Sequence, residues 1–206
     1  MNILAIGAHP DDIEYGCGGT LLKMSSQEQV RLFYFIATKG ELSGGASVRE
    51  KEQEEAARLL KVEKIYWGGF KDANFSVGRD LIGKLEEVIS EIRPEVIFVN
   101  YPQDTHQDHR YLADCTVVAS RYCKKVVYYE DYTSVNYEPD IFVDISDVLG
   151  EKVKLLECHK SQIERVYPTG LDIVESTRAV ASFRGFQAKV KYAEGFKALR
   201  YLLDTI

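Results

Sequence analysis

Apolar and polar positions change period repeatedly along this chain. The unbroken apolar run Ile3-Leu4-Ala5-Ile6 predicts a strand over residues 2–8, buried on both faces. Residues 14–27 read as a helix in which Gly16, Gly18 and Gly19 allow close backbone approach. Residues 30–38, rich in aromatic and branched side chains, predict a second strand. Gly40, Gly44 and Gly45 mark a loop over 39–47, and a charged helix follows over 49–60 with Ala56, Leu59 and Leu60 toward the core. Residues 64–67 form a short third strand. Leu81, Leu85, Val88 and Ile92 recur at helical spacing until Pro94 ends that helix. A fourth strand covers 95–100. Leu112, Cys115, Ala119 and Tyr122 mark the next helix, and 125–129 a fifth strand. Alternation over 141–145 gives one more strand. Ser146 is expected to cap a helix reaching residue 160, with Leu149, Val153 and Leu156 inward. A last helix spans roughly 176–189, and the segment after it has no clear period.

Repeated strand-helix-strand units imply an α/β, Rossmann-like fold, a mainly parallel sheet with helices on both faces. No repeat, low-complexity tract or linker divides the 206 residues, so a single domain over 1–206 is expected. With strand order 3-2-1-4-5, the first and fourth strands flank the topological switch point, where ligands bind outside the strand carboxyl ends.

Composition narrows the partners. A net charge of −6 with no dense basic stretch argues against nucleic acid. No apolar run approaches the ~18 residues of a membrane span, and the N-terminal apolar stretch meets Asp11-Asp12 instead of a cleavage site. Cys17, Cys115, Cys123 and Cys158 form no C-x-x-C pair and suit small buried hydrophobes in a reducing cytoplasm. A soluble small molecule is the expected partner. A homo-oligomer is compatible with the sequence, which does not specify one.

The chemistry lies in two acid-rich histidine clusters. Ala8-His9-Pro10-Asp11-Asp12 follows the first strand, and Asp104-Thr105-His106-Gln107-Asp108-His109 follows the fourth. His9 with Asp12, and His106 with His109, are spaced i, i+3 and share a face if each turn is helical. His9, Asp12 and one of the second pair make three ligands and leave a position open, as catalytic zinc sites do. Two histidines and a carboxylate also describe a non-haem iron(II) centre, and a metal- or sugar-binding module would use the same groups without turnover. Either cluster alone could be ordinary: carboxylates at a helix start, histidines on a surface loop. Both at adjacent strand ends are much harder to explain that way.

AHPDD followed by IEYGCGGT, with D-x-H-x-D-H after the fourth strand, resembles the LmbE/PIG-L family of zinc-dependent N-acetyl-sugar deacetylases. TKGE (38–41), R-x-x-E (49–52), GFKDANF (69–75), CHKSQ (158–162) and YAEGF (192–196) resemble family segments in the same order, so the likeness covers most of the chain. FVDIS (142–146), KSQ and YAEGF are most similar to the bacillithiol-pathway branch, which deacetylates an N-acetylglucosamine–malate conjugate. The resemblance implies that His9, Asp12 and His109 hold Zn2+, with Fe2+ an alternative. It implies that Asp11 is the general base, and that His106 stabilises the oxyanion or protonates the leaving amine. Asp108 would orient a histidine, and Arg49 and Asp72 would contact substrate. Two positions depart from the family pattern. Ile13 stands where many members carry glutamate. Some members use tyrosine at the position of Asp104.

The expected activity is hydrolysis of the N-acetyl group from an N-acetylglucosamine-type sugar or conjugate. Arg49 could equally be a solvated helix-start residue and Asp72 a turn residue beside Asn74. The glycines of GCGGT suit close helix packing better than a phosphate cradle, and His159 reads as structural.

Overall fold

A computed structural model of the chain describes residues 1–165 and 170–203. The elements run β1 (Asn2–Gly7), α1 (Asp12–Ser25), β2 (Arg31–Thr38), α2 (Ala46–Leu59), β3 (Lys64–Phe70), α3 (Arg79–Ile92), β4 (Val96–Asn100) and α4 (Gln107–Ala119). They continue β5 (Lys125–Tyr129), β6 (Ile141–Asp144), α5 (Leu149–Glu157), α6 (Lys160–Ile163), α7 (Ile173–Ala188) and β7 (Ala193–Tyr201).

The sheet order is β3-β2-β1-β4-β5-β7-β6. The first five strands are parallel and carry the expected 3-2-1-4-5 order. Successive residues of each strand feed opposite faces. Leu4, Ile6, Phe33, Phe35, Ile97 and Val99 pack with Leu81 and Leu85 of α3 and Leu112 and Cys115 of α4. Ile3, Ala5, Leu32, Tyr34 and Phe98 pack with Ile13, Cys17 and Leu21 of α1. Helices therefore cover both faces, as unbroken apolar strands require.

The segment with no clear period is β7, which enters the sheet antiparallel between β5 and β6. Its first four residues are buried and the rest are not. A strand wedged between two others at one end only shows no clean alternation. Several boundaries also differ from expectation: β3 runs on to Phe70, α5 ends at Glu157 and α7 begins at Ile173. α2 begins at Ala46. α4 ends at Ala119, and Tyr122 lies beyond it, 87% exposed. Ser146 does not cap α5, whose preceding residue is Val148. Its hydroxyl donates to Asp144 Oδ1 and accepts from the Tyr192 N–H, tying β6 to β7.

The GCGGT glycines are packing residues. A Cβ at Gly16 would lie 2.0 Å from the Tyr129 ring, and one at Gly19 2.9 Å from Ile145. Where that face of α1 is bare, a buried ion pair seats against the helix backbone. Glu194 accepts from the N–H groups of Gly19 and Thr20 at 2.8 and 2.7 Å, and from Lys152 Nζ at 2.6 Å. Lys152 also donates to Tyr15 O. The late strand β7 thereby fixes α1, the helix that begins at the first histidine cluster. None of the four cysteines is disulfide-bonded. Among the described residues, no helix is long and apolar enough to cross a membrane.

Candidate active site

The first cluster is a turn between β1 and α1, closed by its own second aspartate. Asp12 is the first residue of α1, and its Oδ2 accepts from the N–H groups of Ala8 and His9 at 2.9 and 3.0 Å. Asn100, at the end of the adjacent β4, donates Nδ2–H to the same oxygen at 3.2 Å and accepts from Ala8 N–H at 3.2 Å. Tyr129 adds a hydroxyl bond to Asn100 Oδ1 at 3.1 Å. Three neighbouring strands thus set one carboxylate. Asp11 carries the cost of the turn, with φ of 91° in the left-handed region. Aspartate enters that region more readily than most residues.

The second cluster opens α4. His106 is the N-cap residue, and its Nδ1 accepts from the Asp108 N–H at 3.3 Å. An imidazole nitrogen that accepts has no proton of its own, so in the neutral ring the proton sits on Nε2. Asp104 accepts from the His106 N–H at 2.7 Å and from Ser134 Oγ at 3.1 Å. One turn on, His109 faces back toward β1.

Pairing of β1 with β4 brings the clusters together. The ring centroids of His9 and His109 are 5.5 Å apart, and His106 lies 4.7 Å from each. Asp12 Oδ2 stands 3.8 Å from His9 Nδ1 and 3.5 Å from His109 Nε2. The far nitrogen of each ring faces other carboxylates. His9 Nε2 is 3.2 Å from Asp72 Oδ1 and 3.3 Å from Asp108 Oδ2. His109 Nδ1 is 3.2 Å from Asp104 Oδ2, at ion-pair distance without hydrogen-bond geometry. Each imidazole therefore has one nitrogen turned to Asp12 and the other turned to an acid, the usual arrangement around a metal-ligating histidine.

Charge balance agrees. Asp11, Asp12, Asp72, Asp104, Asp108 and Asp131 are all at most 9% exposed. Against these six carboxylates the cleft sets Arg49, Arg165 and the imidazoles, and burial pushes the Asp131 and Asp11 carboxyls upward, a crowding of acids that a bound cation would relieve. The titration directions carry the same strain. Burial would raise the Asp12 carboxyl, but His109 and His9 hold it well below its ordinary range. Burial would depress His109, yet Asp12 and Asp104 push it up to about 10. Burial raises Asp11 against the opposing pull of Arg49. Burial lowers His106, with the charges of His9 and His109 adding to it.

Overlapping groups of these residues fit a divalent metal ion, although the expected set of His9, Asp12 and His109 is not one of the groups whose ligand atoms all lie within 4.8 Å of one another. His9, His106 and His109 can each present one nitrogen within 4.8 Å of the others, as can the groups Asp12-His109-Asp131 and His9-Asp72-Asp108 with their carboxylate oxygens. Buried Asp108 Oδ1, Asp131 Oδ1 and His109 Nδ1 have no hydrogen-bond partner. The histidines floor a cleft of about 320 Å³ lined also by Asp11, Asp12, Arg49, Asp72, Tyr132 and Gln162.

Every site residue expected from the sequence reaches this region. His9, Asp11, Asp12, Arg49, Asp72, His106 and His109 line the cleft, and Asp108 lies fully buried behind His9. Arg49 is 3% exposed and spends its fork on the chain: Nη2 on Pro10 O and Asp11 Oδ1, Nη1 on Gly40 O and Ser43 Oγ. Asp72 holds His9 and accepts from Leu42 N–H at 3.1 Å. Sequence reasoning missed Asp131, two residues past β5, and the supporting roles of Asn100 and Asp104. A strand-end position was the available signal for Asn100 and Asp131.

Residues 4–120 match a family described as PIG-L: GlcNAc-PI de-N-acetylase. The diacetylchitobiose deacetylase of Thermococcus kodakarensis is 28% identical, aligned over 95% of this chain and 82% of its own length. A probable N-acetyl-alpha-D-glucosaminyl L-malate deacetylase 2 of Bacillus cereus is 27% identical, over 79% and 84%. The crystal structure of the conserved protein TT1542 from Thermus thermophilus superposes with a TM-score of 0.87 at 27% identity, covering 98% of this chain and 96% of that one. The matched span contains both histidine turns, and the superposed fold is the one that brings them together. The chain belongs to the PIG-L/LmbE family.

Proposed function

We propose that this protein is a metal-dependent hydrolase that removes the acetyl group from an N-acetylglucosamine-type amino sugar or conjugate. One observation carries the reading. Asp12 Oδ2 stands between a ring nitrogen of His9 and one of His109, and Asp11 lines the same cleft. Three ligands with spare acid-base groups beside them describe a hydrolytic centre better than an iron oxygenase or a passive binding module. The deacetylase names of the relatives favour the same choice.

His9, Asp12 and His109 would hold the ion, with zinc the first candidate. When bound, a divalent metal polarises the amide carbonyl and lowers the pKa of a coordinated water to ~7. The remaining work belongs to the chain. Asp11, held by Arg49 at 3.0 Å, accepts a proton from the attacking water. Asp72 and Asp108 keep the His9 ring turned toward Asp12. His106 offers Nε2–H to the oxyanion of the tetrahedral adduct, and Asp11 passes the proton it took from water to the amine as the C–N bond breaks, releasing acetate and a free amino sugar. Arg49 and Asp72 line the cleft and complete the substrate-facing wall. A malate-type aglycone is the finer candidate, supported by the Bacillus relative.

The test is acetate release from N-acetylglucosamine, N,N′-diacetylchitobiose and N-acetylglucosaminyl-malate, using metal-free protein with and without added zinc. Zinc-dependent acetate from at least one is expected. Product carrying oxygen from O₂, or tight sugar binding with no acetate, would replace this reading with one of its rivals.

A further inference from the structure

Behind Asp11, on the side away from the cleft, lies a buried polar chain that the hydrolytic steps do not use. Arg49 and Gln53 are i, i+4 on α2 and share its buried face. Gln53 Oε1 accepts from the Asp11 backbone N–H at 3.2 Å. Gln53 Nε2 donates to Glu14 Oε1 at 2.8 Å, and Glu14 Oε2 lies 3.5 Å from His159 Nε2. Glu14, Gln53 and His159 are each fully buried.

The orientation of the Gln53 amide follows from this chain. A carboxylate only accepts, so Glu14 takes the NH₂ end of Gln53. The carbonyl end is then left for Asp11. The bond it makes is to the backbone of a residue at φ 91°, a conformation that persists only when its surroundings over-determine it. Arg49 restrains the Asp11 carboxylate and Gln53 restrains its peptide, from two positions on one helix.

We infer that Gln53 is a positioning residue for Asp11, holding its strained backbone so that its carboxylate meets the cleft, with Glu14 setting the orientation of the Gln53 amide. The role rests on the reading of Asp11 as the base. Gln53 is not among the residues that line the cleft, and its bond toward the cleft is to Asp11, so its effect travels through Asp11. A misplaced catalytic group costs up to about 100-fold in rate.

The variants are Gln53→Met, which keeps length without the amide, and Glu14→Gln, which keeps shape but no longer dictates the amide orientation. They are compared with Asp11→Asn and the Asp11→Asn/Gln53→Met double variant. On whichever substrate wild type turns over, Gln53→Met should lower kcat at least about tenfold, with KM within about twofold and metal content unchanged. The double variant should be no slower than Asp11→Asn, because the two act as one unit. Glu14→Gln should lower kcat in the same direction by less, and it decides the matter if Gln53→Met does not fold. A crystal structure of the slowed variant should show Asp11 released from φ near +90°. Full turnover in both Gln53→Met and Glu14→Gln overturns the inference, as does a multiplicative loss in the double variant or an unmoved Asp11 in that crystal structure. Full turnover in Asp11→Asn would instead overturn the reading of Asp11 as base.

Discussion

Arg49 Nη2 lies 3.0 Å from Asp11 Oδ1, across the junction of α2 with the turn that begins α1. Both side chains are almost wholly buried, so the pair is screened little by solvent. The same guanidinium reaches Pro10 O, Gly40 O and Ser43 Oγ. A lysine has the charge but not the fork. Arg49→Lys should therefore retain metal and lose on the order of 10- to 100-fold in kcat through a misplaced Asp11. Steady-state kinetics checks this. A raised KM with kcat intact would show that Arg49 serves the substrate instead.

His9→Ala, Asp12→Ala and His109→Ala should each lose bound metal and activity together. A three-ligand site has no redundancy. Elemental analysis of the purified variants is the measurement, and full occupancy in any one removes that residue from the ligand set. Chelation of wild type should abolish acetate release, and added zinc should restore it.

Asp11→Asn and His106→Ala should keep the metal yet lose about 10²–10⁴-fold in kcat, with smaller changes in KM. Neither side chain is needed to hold the ion in the proposed ligand set. Near-normal turnover in metal-loaded Asp11→Asn would mean that another group is the base and that Asp11 serves only the turn.

Lys152→Met should cost roughly 3 kcal/mol of stability, the lower end of the range for breaking a buried pair, because Gly19 and Thr20 still hold Glu194. For a chain of this size that is a fall in Tm of about 6–12 °C. Thermal and urea denaturation would show it. An unchanged midpoint would mean that the backbone donors alone hold β7 to α1.

His159 should make stability pH-dependent. Burial pulls its pKa down, but Glu14, with Asp11 beyond it, more than offsets this, while the Arg49 charge opposes; the net shift is upward. A raised folded-state pKa means stability that is complete below the unfolded value, ~6.5, and that is lost as pH rises through the folded value. The stability difference between wild type and His159→Gln should therefore shrink between pH 6 and pH 9. Urea titrations at the two pH values measure it, and a constant difference would sink the idea.

The positions of the first five strands along the chain could be read from apolar runs and helical spacing, because burial on both faces leaves most of these strands few polar positions, whereas their 3-2-1-4-5 order in the sheet is set by pairing. The two histidine turns could be read as well, since a short i, i+3 motif at a strand end carries its own local geometry. Other features are decided only by the fold. β7 is a strand because β5 and β6 leave a gap that it fills, and its residues show no period by themselves. Gly16 is required by the Tyr129 ring, 113 residues away in sequence. Asp11 is held by Arg49 and Gln53 of another helix, and His159 reads as an ordinary helix residue until Glu14 is seen beside it. Local pattern determines which elements form and where short motifs sit on them. Tertiary structure decides which distant polar atoms share a buried space, because that depends on pairing across the sheet and not on spacing along the chain.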